Sequence, residues 1–260
     1  MDPSYRRRTS TLRTPVNRAG RLSWLCASLL ATLDVPAEPS AALPWFSEFG
    51  VQQTRGFRAL KLRLGYLTAE EDLAAVRAVR TRMPDAVKLM VDYNQALGVE
   101  EAIRRARALD SEGVYWIEEP IRHDDYKGCA EIAAAAATPV QIGENFSQVF
   151  DMQKALDAGA CDCVMPDLER IGGVTGWRLA SALAASASIP MSSHLYPEVS
   201  VHLLSATPTA HWLEYVDWMN PLLAEPLAIV DGMAVPSDEP GLGLTWDEQA
   251  VHRAKRKFEN

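Results

Sequence analysis

The chain of 260 residues has no apolar run long enough to cross a bilayer; the nearest, Leu22 to Leu33, is broken by Ser23, Ser28 and Thr32. Cysteine is scarce as well. Four residues (Cys26, Cys129, Cys161 and Cys163) scattered over this length exclude a disulfide-built scaffold, and Cys161 and Cys163 alternate in an apolar run as a buried strand does. Positive charge is in deficit, with 26 Lys+Arg against 34 Asp+Glu and a net charge of −8, which excludes a general nucleic-acid or anionic-membrane binder. No glycine-rich fingerprint follows the first strand-like run, so a dinucleotide-binding doubly wound sheet is disfavoured. What is present, 48% hydrophobic residues, fills a sizeable core. A soluble globular protein, expected in the cytoplasm, is the result.

Residues 1 to about 50 differ from the rest. Arg6, Arg7 and Arg8 precede an apolar run from Trp24 to Leu33, and Pro36, Pro39 and Pro44 follow. The order is faintly that of a signal peptide, but the run starts late and lacks a clear cleavage site. An irregular N-terminal extension is the preferred reading, with residues 51–260 as one domain.

From Gly56 a single pattern repeats: a β-rich apolar run, a turn, then an amphipathic stretch rich in Ala, Leu, Arg and Glu. Seven runs are predicted as strands: Ala59–Leu64, Val87–Asn94, Val114–Pro120, Pro139–Asn145, Cys161–Asp167, Ile189–Leu195 and Ala210–Tyr215. Helices are predicted near 69–82, 99–111, 128–137, 148–158, 174–187 and 198–206. Parallel neighbours need a crossover helix, so this alternation implies a parallel sheet, and its length suits a (β/α)8 barrel.

Nearly every run carries an ionisable residue at its C-terminal end. Lys61 and Arg63, Asp92, Glu118 and Glu119, Glu144, Asp167, His194 and Glu214 stand near the C-terminal ends of successive strands, about one β/α unit apart. In a barrel those ends share one face, the face on which active sites are built. Charges entering solvated loops would account for any one of them, but poorly for the set.

Asp92, Glu118 and Glu144 end three consecutive strands, which sit about 4.8 Å apart in a sheet. Three carboxylates that close repel unless a cation neutralises them, and an all-oxygen set favours a hard divalent ion, Mg²⁺ before Mn²⁺. Asp167 and His194 form an acid–imidazole pair of the kind that prepares a general base. Lys61 and Arg63 face the same way and suit an anionic small-molecule substrate. Glu214 could donate a hydrogen bond if its surroundings kept it protonated.

The stretches GFRALKLRLGY, LMVDYNQ, VYWIEEP, VQIGEN, MPDLERIGGVTGW, IPMSSHL and TPTAHWLE occur in an order that resembles the enolase superfamily, most closely its mandelate racemase branch, over about four-fifths of the chain. The resemblance implies Mg²⁺ held by Asp92, Glu118 and Glu144, and His194 with Asp167 as an acid/base catalyst acting through an enediolate. It also implies Lys61 as a neutraliser of the substrate carboxylate, Glu214 as a partner of the enediolate, Asn94 as a polar residue near the substrate, and Glu119 as a neighbour turned away from the metal. Racemisation or epimerisation of a 2-hydroxy acid is the main expectation.

Three departures qualify it. Mandelate racemase has a second lysine where this chain has Arg63, and arginine is an anion clamp rather than a proton acceptor. That change favours the alternative of a one-base sugar-acid dehydratase. Arg170 replaces a lysine with an effect the sequence does not reveal. Lastly, the family's N-terminal capping domain has no counterpart in residues 1–50, and the first barrel strand is expected to be missing or reduced to a fragment around Val35–Ala37. A barrel remnant with impaired turnover is therefore a further alternative, and its open edge implies association, a homo-oligomer.

Overall fold

The computed structural model describes residues 56–258 and, as backbone alone, residues 23–29. Its first strand is β1 (Ser23–Leu29). Strands and helices then alternate: β2 (Ala59–Arg63), α1 (Ala69–Arg80), β3 (Lys88–Asp92), α2 (Val99–Leu109), β4 (Ile117–Glu118), α3 (Tyr126–Ala135) and β5 (Val140–Ile142). The series continues with α4 (Val149–Ala158), β6 (Cys163–Val164), α5 (Gly173–Ala187), β7 (Met191–Ser193), α6 (Pro197–Ser205) and β8 (Ala210–Tyr215). A hairpin of β9 (Ala228–Val230) and β10 (Met233–Val235) and a last helix, α7 (Glu248–Phe258), complete it. None of the described helices is long and apolar enough to cross a membrane.

Local chemistry sets the helix limits. Thr68 accepts from the Glu71 N–H while the Glu71 side chain accepts from the Thr68 N–H, a capping box that starts α1. Gly159, in the left-handed region, ends α4.

Strands β2 to β8 pair in chain order, each parallel to the next, and form the curled sheet of a (β/α) barrel. β1 lies between β8 and β2 and is parallel to both, with Trp24 opposite Trp212 and Cys26 opposite Ala59. Within the extension expected to be irregular the structure thus holds one strand, Ser23–Leu29, which overlaps the apolar run that opens at Trp24. Val35–Ala37 falls outside the described residues. The open edge on which the expected homo-oligomer rested is filled by β1. Among the described residues no helix stands between β1 and β2, so the β/α repeat is incomplete at the N-terminal side although the strands close, and no capping domain is described.

Side-chain alternation divides each strand between two environments. Leu60, Leu62, Leu89, Val91, Ile117, Val140, Ile142 and Leu213 point outward and pack under the helices in the main core. Inside the barrel, Ala59, Met90, Trp116 and Trp212 make a separate apolar cluster toward the N-terminal ends of the strands. Two residues further along these strands the interior becomes polar, with Lys61, Asp92, Glu118 and Glu214 all buried.

Candidate active site

The deepest part of the site is built around Lys61. Its ammonium lies 2.7 Å from Glu118 Oε1 and 2.7 Å from Glu214 Oε1, and the side chain is only 4% exposed. Burial opposes its charge, but the surrounding carboxylates outweigh burial and hold the amine protonated, far above its usual range. Glu118 Oε2 accepts from Trp116 Nε1 at 3.1 Å and Gln141 Nε2 at 3.2 Å. Even so, burial pushes the Glu118 carboxyl up to about 8, with Lys61 pulling the other way. For Glu214, burial acts upward, yet Lys61 and His194 prevail and hold it at about 2. Its Oε2 accepts from the Leu195 N–H at 2.9 Å, an amide aimed by two successive left-handed residues, Leu195 and Tyr196. Glu214 is thus a carboxylate acceptor; the protonated donor that the sequence allowed is not what this environment favours.

The next layer carries the predicted metal ligands. Asp92 ends β3, where its Oδ1 accepts from the Asn94 N–H at 2.7 Å and its Oδ2 lies 3.3 Å from Arg63. Glu144 stands beyond β5 and would point outward by simple alternation from Gln141. Gly143 prevents this: its φ of 136° re-aims the backbone, and a Cβ there would meet Phe146 at 2.8 Å and the Met165 N at 2.9 Å. The result brings one carboxylate oxygen from each of Asp92, Glu118 and Glu144 to within 4.8 Å of one another. Three buried carboxylates at this spacing, with Lys61 already engaged between Glu118 and Glu214, form a donor set that fits a hard divalent cation.

Across from the triad stands His194. Its Nδ1 is 2.8 Å from Asp167 Oδ2, while Nε2 lies 3.3 Å from Glu144 and 3.9 Å from Glu214. Asp167 is itself fixed, its Oδ1 accepting from the N–H groups of Glu169 and Arg170 at 2.9 and 3.0 Å. Burial works against the imidazolium, but Asp167 and then Glu214 and Glu144 outweigh it and raise the imidazole above its ordinary value. The geometry is that of a base with its tautomer set, Nδ1–H toward Asp167 and Nε2 toward the triad.

The structure brings Lys61, Arg63, Asp92, Glu118, Glu144, Asp167, His194 and Glu214 together on this face. Lys61, however, is committed to Glu118 and Glu214, which leaves Arg63, with 24% of its side chain exposed, as the accessible cation of the pair. Asn94 is exposed at the rim and supports Asp92 through its backbone. Glu119 faces away from Lys61 but is fully buried. Sequence reasoning overlooked the donors that hold the carboxylates: Trp116, Gln141, Gln95 and Asn145. The latter two end LMVDYNQ and VQIGEN, and a polar residue just past an acidic strand end was the available signal.

A parallel barrel with a carboxylate triad fit for a hard divalent cation and an acid-held histidine at its C-terminal mouth has the geometry of a metal-assisted acid/base site. Residues 48–250 match the family described as enolase C-terminal domain-like, and the chain belongs to that family within the enolase superfamily. L-talarate/galactarate dehydratase of Salmonella typhimurium is 37% identical over 200 residues, 77% of this chain and 50% of that protein. Its structure with Mg and L-lyxarohydroxamate superposes with a TM-score of 0.79 at 32% identity, covering 89% of this chain and 58% of the other. The 3,6-anhydro-alpha-L-galactonate cycloisomerase of Streptomyces coelicolor is 36% identical over 76% of this chain and 55% of its own length. An enolase from Bradyrhizobium, complexed with magnesium and mandelic acid, gives a TM-score of 0.80 at 37% identity, over 90% of this chain and 62% of that one. The chain spans about half the length of the curated relatives it matches.

Proposed function

We propose that this barrel is the catalytic domain of a Mg²⁺-dependent sugar-acid dehydratase. The observation that carries the proposal is the presence of one acid-held imidazole facing the triad, with Arg63 where a second base would stand. Guanidinium remains protonated, so it cannot take a proton from the opposite face of a substrate. Racemisation through two bases is therefore disfavoured, and the dehydratase and cycloisomerase relatives support elimination better than the racemase expectation.

In the proposed reaction the substrate carboxylate lies beside Arg63 and the triad, with its α-carbon toward His194 Nε2. His194 takes the α-proton, and the C–H electron pair moves into the carboxylate to give an enediolate. Asp167 stabilises the imidazolium so formed. Mg²⁺ held by Asp92, Glu118 and Glu144 would supply Lewis-acid stabilisation of the developing charge. As the enediolate collapses, the β C–O bond breaks and His194 returns its proton to the departing hydroxyl, which leaves as water. The enol product tautomerises to a 2-keto-3-deoxy acid. Lys61 holds Glu214 ionised and opposes the effect of burial on Glu118.

The test is incubation of the protein with Mg²⁺ and a panel of aldonic and aldaric acids in D₂O. A 2-keto-3-deoxy acid carrying solvent deuterium is expected, and His194→Asn should lower its formation by about 10²–10⁴-fold. Mandelate racemisation without dehydration of any acid, or dehydration that survives His194→Asn, would overturn the reading. A 2-hydroxy-acid racemase is the second reading, favoured by the mandelic acid in the Bradyrhizobium neighbour.

A further inference from the structure

Glu144 is the least well anchored of the three triad carboxylates. Asp92 and Glu118 lie within strands whose ladder bonds fix their backbones, but Glu144 sits two residues past β5, after the Gly143 kink. Something outside the sheet must hold it.

The surrounding contacts show what does. Arg170 Nη1 donates to the Glu144 backbone oxygen at 3.0 Å and to Asn145 Oδ1 at 2.9 Å. Asn145 Nδ2 in turn donates to Glu119 Oε1 at 2.8 Å and reaches Glu144 Oε1 at 3.3 Å. Glu119 Oε2 accepts from Gln95 Nε2 at 3.2 Å, and Gln95 Oε1 accepts from the His123 N–H at 3.0 Å. Donor and acceptor types leave one orientation for the Asn145 amide. Arginine only donates, so the amide oxygen must face Arg170 and its NH₂ must face Glu119 and Glu144. The residues following β6, β5 and β3 are thereby tied, through buried Glu119, to a single point beside the triad.

We infer that Arg170 and Asn145 are positioning residues for the metal-binding carboxylate of Glu144, acting through this network rather than by touching substrate or metal. The inference rests on the triad being a Mg²⁺ site, as proposed above. It also assigns a role to Arg170, whose presence the sequence left unexplained. Partners behind a metal ligand typically tune affinity by 10–100-fold when removed.

Two physical effects make opposite forecasts for Arg170. As a bare positive charge, with its Nη1 3.7 Å from Glu144 Oε1, it repels a cation at the triad, so its removal should tighten binding. As a positioning group, its removal should weaken binding. Titration calorimetry of the full chain with MgCl₂ decides between them, with no turnover required. Arg170→Met is expected to weaken Mg²⁺ binding about fivefold or more, with Arg170→Lys in between and Asn145→Ala weaker by about tenfold. The melting temperature of each variant without Mg²⁺ should stay within a few degrees of the parent; Arg170, half exposed, keeps the test usable if Asn145→Ala misfolds. Tighter or unchanged binding in Arg170→Met overturns the positioning role. Absence of Mg²⁺ binding by the parent chain overturns the metal reading and this inference with it, whereas parent binding with unaffected variants overturns the inference alone.

Discussion

His211 shows how one buried side chain governs behaviour far from the chemistry. It is 4% exposed, its Nε2 lies 2.8 Å from the Tyr115 hydroxyl, and the rings of Tyr115, Trp116 and Trp212 surround it. Burial pushes its imidazole down to about 3. An unfolded histidine titrates near 6.5, so between these values the unfolded chain binds a proton that the native chain does not. The stability that follows is fully present above about pH 6.5 and is lost as pH falls toward 3. From pH 6.5 to 5 this residue should remove about 2 kcal/mol. Urea unfolding at both pH values is expected to show a shallower acid decline in His211→Asn than in the parent, and equal declines would contradict the assignment. Legibility at this scale was uneven for a physical reason. An ionisable group inside an apolar run is conspicuous, so Lys61, Asp92, Glu118, Glu144, Asp167, His194 and Glu214 could be read directly. The local reason that Glu144 reaches the triad was not legible: Gly143 reverses the strand's alternation, and the supporting Arg170 comes from the loop after β6.

The helices were the most readable elements, since amphipathic spacing and caps are local properties. The range 174–187 predicted for one of them differs by a single residue from the observed Gly173–Ala187. Strands were overestimated: Val114–Pro120 contains only Ile117–Glu118 as ladder-bonded strand, because the chain leaves the sheet where it delivers its functional side chains. The β9–β10 hairpin went unread although Asp231–Gly232, both at positive φ, is a turn signal between apolar runs. Helix α7 went unread too. Between elements, the most consequential contact is buried: Arg105 on α2 pairs with Asp72 on α1 at 2.7 Å and also donates to the Tyr66 oxygen at 2.9 Å. Asp72 Oδ1 accepts from the Gly65 and Tyr66 N–H groups at 3.0 Å each, so the pair also holds the loop that follows β2. Arg105→Met would strand a buried carboxylate and should cost about 3–5 kcal/mol, or roughly 10 °C in Tm. The double replacement Asp72→Leu, Arg105→Met should recover part of that loss. A melting temperature for Arg105→Met within about a degree of the parent would show that the pair is energetically idle.

For the molecule as a whole, β1 is the element that turns a curled sheet into a ring, since it is bonded to β2 on one side and to β8 on the other. Its sequence carries no charge to mark it, and its pairing depends on partners far along the chain, which is why local reading did not recognise it. Ala27 stands opposite both Leu60 and Tyr215, so proline at this site would remove a ladder donor and clash within a strand paired on both sides. Ala27→Pro is expected to lower Tm by about 10 °C or more, measured by circular dichroism, and an unchanged melting curve would show that the ring does not depend on β1. The same pairing bears on synthesis. β1 precedes its neighbours β8 and β10 by almost 200 residues or more, so Trp24 waits for both Trp212 and Met233. At about 5–20 residues per second, roughly 10–40 s pass before that partner strand exists. During that interval the nascent sheet has an unclosed side, and an unpaired strand edge favours aggregation until β8 arrives.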